Sequence, residues 1–106
     1  MVKKILTESG FIINETFRET RFISPPRQTY AIYLDSFKRR GADYLNLIKE
    51  HVYTIEIYSY TPDPDAEARL ESILDKYGIE YEKEERYWLQ EEQLYLVVYT
   101  FNFTEK

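Results

Sequence analysis

The sequence of 106 residues contains no cysteine, which excludes disulfide bonds, thiolate catalysis and zinc sites built from cysteine. Glycine is also scarce, since only Gly10, Gly41 and Gly78 are present, so no glycine-rich loop is available to cradle a phosphate. The single histidine, His51, follows Glu50 and has no nucleophile in a recognisable context. We therefore predict no catalytic residue and no cofactor, and we expect a structural or surface role for His51.

Long apolar runs are missing as well, so the sequence predicts neither a signal peptide nor a membrane-spanning helix. A chain of this length supports one modest hydrophobic core, and we expect a single domain over residues 1–106. Aromatic residues are abundant, with eleven Tyr, six Phe and one Trp. Tyrosine buries its ring and keeps its hydroxyl wet, which favours a β-rich fold or a protein interface.

The net charge of −5 is unevenly distributed along the chain. Residues 1–59 carry nine basic and seven acidic side chains, whereas residues 60–92 carry four basic and eleven acidic ones. An acidic protein repels phosphate backbones, so specific nucleic-acid binding is disfavoured. The separation of charge instead favours head-to-tail contact between copies of the chain.

The clearest predicted element is a helix over residues 61–78. Asp63 precedes a proline and makes a natural N-cap, Pro64 suits the first helical position, and Gly78 ends the helix. One face carries an apolar stripe that predicts packing on a sheet; its members are Ala66, Leu70, Ile73, Leu74 and Tyr77. A shorter helix is predicted over residues 2–9, which end just before Gly10.

Alternating apolar residues predict strands over residues 29–37 and 51–60, joined by a charged loop. Residues 80–90 alternate as a further, exposed strand, and residues 94–103 are apolar on both faces, as in a strand covered on two sides. Residues 11–13 are ambiguous and fit a short strand. Together these patterns predict an α+β domain with a mostly antiparallel sheet of about four or five strands.

The acidic residues Glu80, Glu82, Glu84 and Glu85 invite a metal-site interpretation. They are interleaved with basic side chains and lack histidines or a turn glycine, so a solvated surface is the better interpretation. We predict no metal site.

The order of these pieces resembles that of the small tail-completion or tail-terminator proteins of tailed phages and prophages. The resemblance runs from the helix and glycine of "LTESGFIINETF", through "PPRQTYAIYL", "RRGAD" and "HVYTIEIYS", to "PDPDAEARLE" and "LYLVVYTFNF". It implies a virion structural protein at the head–tail junction, without enzymatic activity or cofactor. Such proteins are assembled in the bacterial cytoplasm and form rings, commonly hexameric, between the tail tube and the head connector. Because the chain is short for a tail terminator, a neighbouring neck or head-closure role is a close alternative.

Self-assembly of this kind needs complementary surfaces, and we predict contacts from three places. They are the loop residues Lys38, Arg39, Arg40 and Asp43, the strand end with Tyr58 and Tyr60, and the acidic residues Glu82, Glu84 and Glu85. The alternative function is a small ferredoxin-like module that binds a ligand or RNA through exposed aromatic residues.

Overall fold

The computed structural model describes the main chain of residues 1–40 and 48–105 and the side chains of residues 1–36 and 50–104. Within these residues the chain forms two helices and one mixed sheet of six strands. The elements are α1 (Val2–Glu8), β1 (Phe17–Glu19), β2 (Tyr30–Arg40), β3 (Ile48–Ser59), α2 (Pro64–Lys76), β4 (Glu82–Lys83), β5 (Tyr87–Leu89) and β6 (Leu94–Glu105).

Helix α2 forms where its local signals predict it. The Asp63 side chain accepts a hydrogen bond of 3.1 Å from the main-chain N–H of Ala66, and Pro64 occupies the first turn. Such a cap satisfies one of the helix N–H groups that have no partner within the helix. Gly78 follows the helix with a φ of +66°, a left-handed conformation that glycine adopts without a steric penalty.

Helix α1 packs beside α2 and is attached to it by polar contacts. Arg69 donates a hydrogen bond of 3.0 Å to the main-chain oxygen of Ser9, and Lys76 forms an ion pair of 2.7 Å with Glu8. The predicted boundaries of both helices are confirmed to within a few residues. The two helices therefore form one layer over the sheet.

The strand order in the sheet is β1-β2-β3-β6-β4, and β5 also pairs with β6. Strands β2, β3 and β6 are 11 or 12 residues long and pair antiparallel with one another. Strand β1, in contrast, runs parallel to β2. The predicted α+β class is confirmed, and the sheet is mixed, with a mainly antiparallel part.

The main hydrophobic core lies between the helices and one face of the sheet, which we call the helix face. Leu70 and Leu74 of α2 pack there with Ile55 of β3 and Tyr99 of β6, and all four are fully buried. The opposite face, which we call the open face, carries a smaller cluster; its members are Tyr30, Ile32, Leu94, Phe22 and Tyr58. Strand β6 thus contributes apolar side chains to both faces, as its sequence predicts.

The prediction of a loop that begins at residue 38 is wrong. Strand β2 continues through Arg40, and β3 begins at Ile48, with these two residues as cross-strand partners. A strand of polar residues is stable here because the ladder to β3 satisfies its main-chain groups, whatever its side chains are.

Two further predictions about strands are corrected. Residues 11–13 form no strand, and only Ile13 makes an isolated bridge, to Phe17. Residues 80–90 form two short strands instead of one, because the pairing with β6 shifts by one residue between Lys83↔Tyr99 and Tyr87↔Leu96. Such a shift is the signature of a β-bulge.

Candidate assembly edges of the sheet

The basic run (Lys38, Arg39 and Arg40) and the acidic segment (residues 80–86) lie at opposite edges of the three long strands. Strand β2 carries the basic run on one side of β3, whereas β4 lies on the far side of β6. The side chains of the basic run, and the whole of the predicted contact residue Asp43, lie outside the described residues. The topology therefore separates the two charges that the sequence places about forty residues apart.

The acidic segment exposes carboxylates that have no cationic partner in the described part of the chain. Glu82, Glu84 and Glu85 are all exposed, and each is absent from the ion pairs of the described residues. The two cations of the same segment, Lys83 and Arg86, point elsewhere. This edge of the sheet is consequently more acidic than its sequence suggests.

Lys83 and Arg86 face α2, where they bind two carboxylates. Lys83 Nζ lies 3.1 Å from Glu67 and 2.6 Å from Glu71, and Arg86 donates to Glu67 Oε2 at 2.8 and 3.0 Å. Tyr99 donates a further hydrogen bond of 2.6 Å to Glu71. We call these five residues the ion cluster, and it ties the acidic segment to the helix.

The environment fixes the charges of the ion cluster at neutral pH. Burial alone would raise the pKa of the Glu71 carboxyl, but hydrogen bonds from Lys83 and Tyr99 lower it overall. Burial disfavours the charge of Lys83, yet its bonds to Glu71 and Glu67 raise its pKa. Burial raises the pKa of the Tyr99 hydroxyl far above its usual range, and its hydrogen bond to Glu71 adds to this effect. The cluster therefore holds a charged Glu71 carboxylate, a charged Lys83 and a neutral Tyr99 phenol.

The β-bulge explains how both cations reach α2. On a regular strand, residues 83 and 86 would point to opposite faces of the sheet because side chains alternate. One extra residue between β4 and β5 restores Arg86 to the helix face. The sequence did not reveal the ion pairs of Lys83 and Arg86 with α2. Alternation alone placed both residues among the exposed charges that lie between the glutamates of the acidic segment.

The outer edge of β2 is paired over only part of its length. Ala31 N–H donates to Thr16, and the Tyr33 carbonyl accepts from Thr20, so odd-numbered residues of β2 direct their main-chain groups outward. Strand β1 ends opposite Tyr33. From Asp35 to Arg40, no described residue pairs with this outward edge of β2.

The outer edge of β6 is open at its C-terminal end. Glu84 N–H donates to the Val98 carbonyl at 2.9 Å, which shows that even-numbered residues of β6 face the β4 side. Pairing with β4 stops at Glu82↔Thr100. Among the described residues, none pairs with the outward main-chain groups of Asn102 and Thr104. An edge of this kind accepts another extended chain readily.

A groove with a volume of about 540 Å³ runs along this open edge of β6. Residues 78–82 form one wall and residues 100–104 form the other. Ile79, Tyr81 and Phe103 supply partly buried apolar surface, whereas Glu80 and Glu82 are exposed. The groove thus combines free main-chain groups, an apolar lining and an acidic wall.

His51 has a partner that the sequence did not reveal. Its Nδ1 lies 2.9 Å and 3.1 Å from the two carboxylate oxygens of Asp35, on the neighbouring strand. An ionised carboxylate only accepts, so Nδ1 donates this hydrogen bond. The ring also stacks on Tyr53 with a centroid distance of 5.1 Å, and it is 9% exposed. The expected structural role of His51 is consistent with this position between β2 and β3.

The two predicted tyrosine contacts differ in their environment. Tyr58 stacks on Tyr30 at 5.1 Å and donates a hydrogen bond to Glu56, and burial raises the pKa of its hydroxyl well above the usual range. Tyr60 is 49% exposed. Of this pair, Tyr60 therefore offers more surface to a partner.

Within the described residues, no group of three or more metal-ligating side chains is close enough to hold a metal ion. No described helix is long and apolar enough to cross a membrane. No protein-family model matches the chain, and no curated protein matches its sequence.

Proposed function

We propose that this protein is an assembly component that forms a ring of identical copies at the head–tail junction of a tailed phage or prophage. The observation that carries the proposal is the separation of an open basic edge, on β2, from an open acidic edge, on β6 and β4. A contact between two different edges of identical copies is heterologous. Repeated heterologous contacts form a closed ring when the rotation from one copy to the next adds up to a full turn.

Charge favours this heterologous contact over two-fold pairing. A two-fold contact through β2 would bring two basic runs together, and one through β6 would bring two acidic segments together. Like charges placed opposite each other at an interface cost several kcal/mol, whereas opposite charges steer the encounter. Head-to-tail contact is the arrangement that joins unlike edges.

The virion role rests on the resemblance in the order of the elements and on the charge of the chain. A net charge of −5 reduces adhesion to DNA, which suits a ring through which a genome slides. The expected partners are further copies of the chain, a tail-tube protein and a head connector. Assembly takes place in the bacterial cytoplasm, and the protein has no cofactor.

The virion role is tested by the neighbourhood of its gene. Genes for a portal, a capsid and a tail tube on either side support the proposal. A neighbourhood of metabolic or RNA-processing genes contradicts it, and salt-sensitive RNA binding by a monomer would favour the alternative RNA-binding function.

The contact between edges is tested by charge reversal. In sedimentation velocity experiments at low salt, the double variant Arg39→Glu/Arg40→Glu should weaken self-association by about tenfold or more, because it places like charges opposite the acidic segment. Adding Glu80→Lys/Glu82→Lys should restore the assembly, because these two carboxylates line the groove along β6 that faces the contact. Unchanged assembly of the Arg39/Arg40 variant would show that the basic run makes no contact.

The matched control is Arg21→Glu/Arg27→Glu, which makes the same change in net charge. Both arginines are exposed and lie in the segment between β1 and β2, outside the basic run. This variant should associate like the wild type. An equal loss in both variants would assign the effect to net charge instead of to a specific edge.

A further inference from the structure

We infer that the groove beside β6 receives the outer half of β2, residues 35–40, from a second copy of the chain, which adds to the sheet as a parallel strand. This inference rests on the proposed ring and identifies the segment and the type of contact that join its copies. In this contact the two copies are joined mainly by main-chain hydrogen bonds between β2 and β6, and the charged side chains add to those bonds.

Both partners in this contact have main-chain groups available. Asp35, Phe37 and Arg39 direct theirs outward from β2, and Asn102 and Thr104 direct theirs into the groove. Each stretch is already extended and hydrogen-bonded on its inner side to a neighbouring strand. Little conformational entropy is therefore lost when the two edges meet, which is the general advantage of strand addition.

The direction of the added strand follows from the topology. Strands β2 and β6 both run antiparallel to β3, so they are parallel to each other within one copy. A rotation about a ring axis that runs along the strands preserves that direction. The β2 strand of the next copy consequently meets β6 in parallel orientation, and the sheet continues across the boundary.

The charges specify which edge enters the groove. Glu80 and Glu82 lie on the wall of the groove that faces β6. The two cations of the acidic segment, Lys83 and Arg86, already form ion pairs with Glu67 of α2. The basic run occupies residues 38–40 of the entering strand. A register that brings residue 36 close to Asn102 keeps the entering strand clear of β4, whose pairing with β6 stops at Thr100. It starts the basic run opposite Thr104, about two residues or roughly 7 Å along the sheet from the level of Glu80, which is within the distance at which charges interact at physiological salt.

Engineered cysteines test the inference directly, because the chain has none of its own. The panel combines Ser36→Cys or Lys38→Cys in one copy with Asn102→Cys or Thr104→Cys in another copy. These four combinations sample three neighbouring registers of a parallel pair. Each variant carries a single cysteine, so no internal disulfide can form. Residues 36 and 102 are both cross-strand partners of Val52 and therefore lie on the same face of the sheet, as a crosslink between neighbouring strands requires.

Mixing a β2 variant with a β6 variant under mild oxidation should give a disulfide-linked dimer in at least one combination. Either variant oxidised alone should give no disulfide-linked dimer. Dimers from a β6 variant alone would show two-fold pairing of β6 edges, and dimers from a β2 variant alone would show pairing of β2 edges. Either result, or the absence of any crosslink from the panel, would overturn the inference.

Amide hydrogen exchange supplies a second measurement that needs no substitution. Exchange at Asn102 and Thr104 should slow when the wild-type protein assembles, because both N–H groups become donors to the added strand. A ring that forms without this protection would refute strand addition and leave the proposed function intact. A gene neighbourhood without phage genes would refute the function and leave the strand contact intact.

Discussion

The ion cluster offers a sharp test of how the acidic segment is held. Glu67 lies on α2 with a side chain only 8% exposed, and it accepts bonds from Lys83 and Arg86, which are 36% and 33% exposed. The substitution Glu67→Ala removes the carboxylate on which both cations converge. We expect it to lower the free energy of unfolding and to release the acidic segment from the helix.

The magnitude follows from the burial of each partner. Removing one member of a fully buried ion pair costs roughly 3–5 kcal/mol, because the remaining charge is left without a partner. Here the side chains of Lys83 and Arg86 are about one-third exposed to solvent, so water can solvate part of their charge after the substitution. Alanine is also a slightly better helix former than glutamate. Both effects reduce the loss to about 1–3 kcal/mol. A loss of that size lowers Tm by roughly 4–8 °C per kcal/mol in a domain of about this length.

The assay is urea denaturation followed by circular dichroism, with the m-value fitted for each variant. Glu84→Ala is the matched control, since Glu84 is exposed in the same segment and has no cationic partner among the described residues. It should stay within about 0.5 kcal/mol of the wild type. Hydrogen exchange at the Glu84 N–H, which bonds to Val98, should accelerate in Glu67→Ala. If Glu67→Ala is as stable as the control, the ion cluster does not anchor the segment.

Two further predictions concern the helix cap and the response to alkaline pH. Asp63→Ala removes the acceptor for the Ala66 N–H and should lower the free energy of unfolding, measured by thermal denaturation, by about 0.5–2 kcal/mol. Asp65→Ala is the control, and an equal loss of stability in both variants would contradict a capping role. The pKa of Tyr99 is raised in the folded state, so its contribution is fully present below the ordinary tyrosine pKa of about 10 and is lost as pH rises above it. Tyr99→Phe also removes the hydrogen bond to Glu71. In urea titrations between about pH 9 and 11, the free energy of unfolding of this variant should therefore fall less steeply with pH than that of the wild type. An unchanged slope would count against this explanation.

Sequence patterns were sufficient where the physical signal is local. The cap at Asp63, the proline after it and the glycine at position 78 all act within one turn of α2, and the structure confirms each of them. Alternation correctly predicted a strand at residues 51–60, where the structure has β3 with the core residues Ile55 and Ile57. A residue that is fixed by its immediate neighbours can be assigned from those neighbours alone.

Sequence patterns failed where a distant strand decides the outcome. The polar residues from Lys38 to Arg40 have no apolar alternation, yet they extend β2 because β3 supplies their hydrogen bonds. The bond between His51 and Asp35 likewise depends on the register of β2 against β3. Sixteen positions separate these two residues in the chain, and no local pattern encodes that pairing.

The sequence by itself determined that the chain is acidic, has no cysteine and divides its charge between a basic first half and an acidic second half. Only the tertiary structure decided that these charges lie on opposite edges of one sheet. It also decided that Lys83 and Arg86 turn inward, because a bulge brings both onto the helix face. Charge is a property of each residue, whereas an edge with unpaired main-chain groups exists only after the strands have paired.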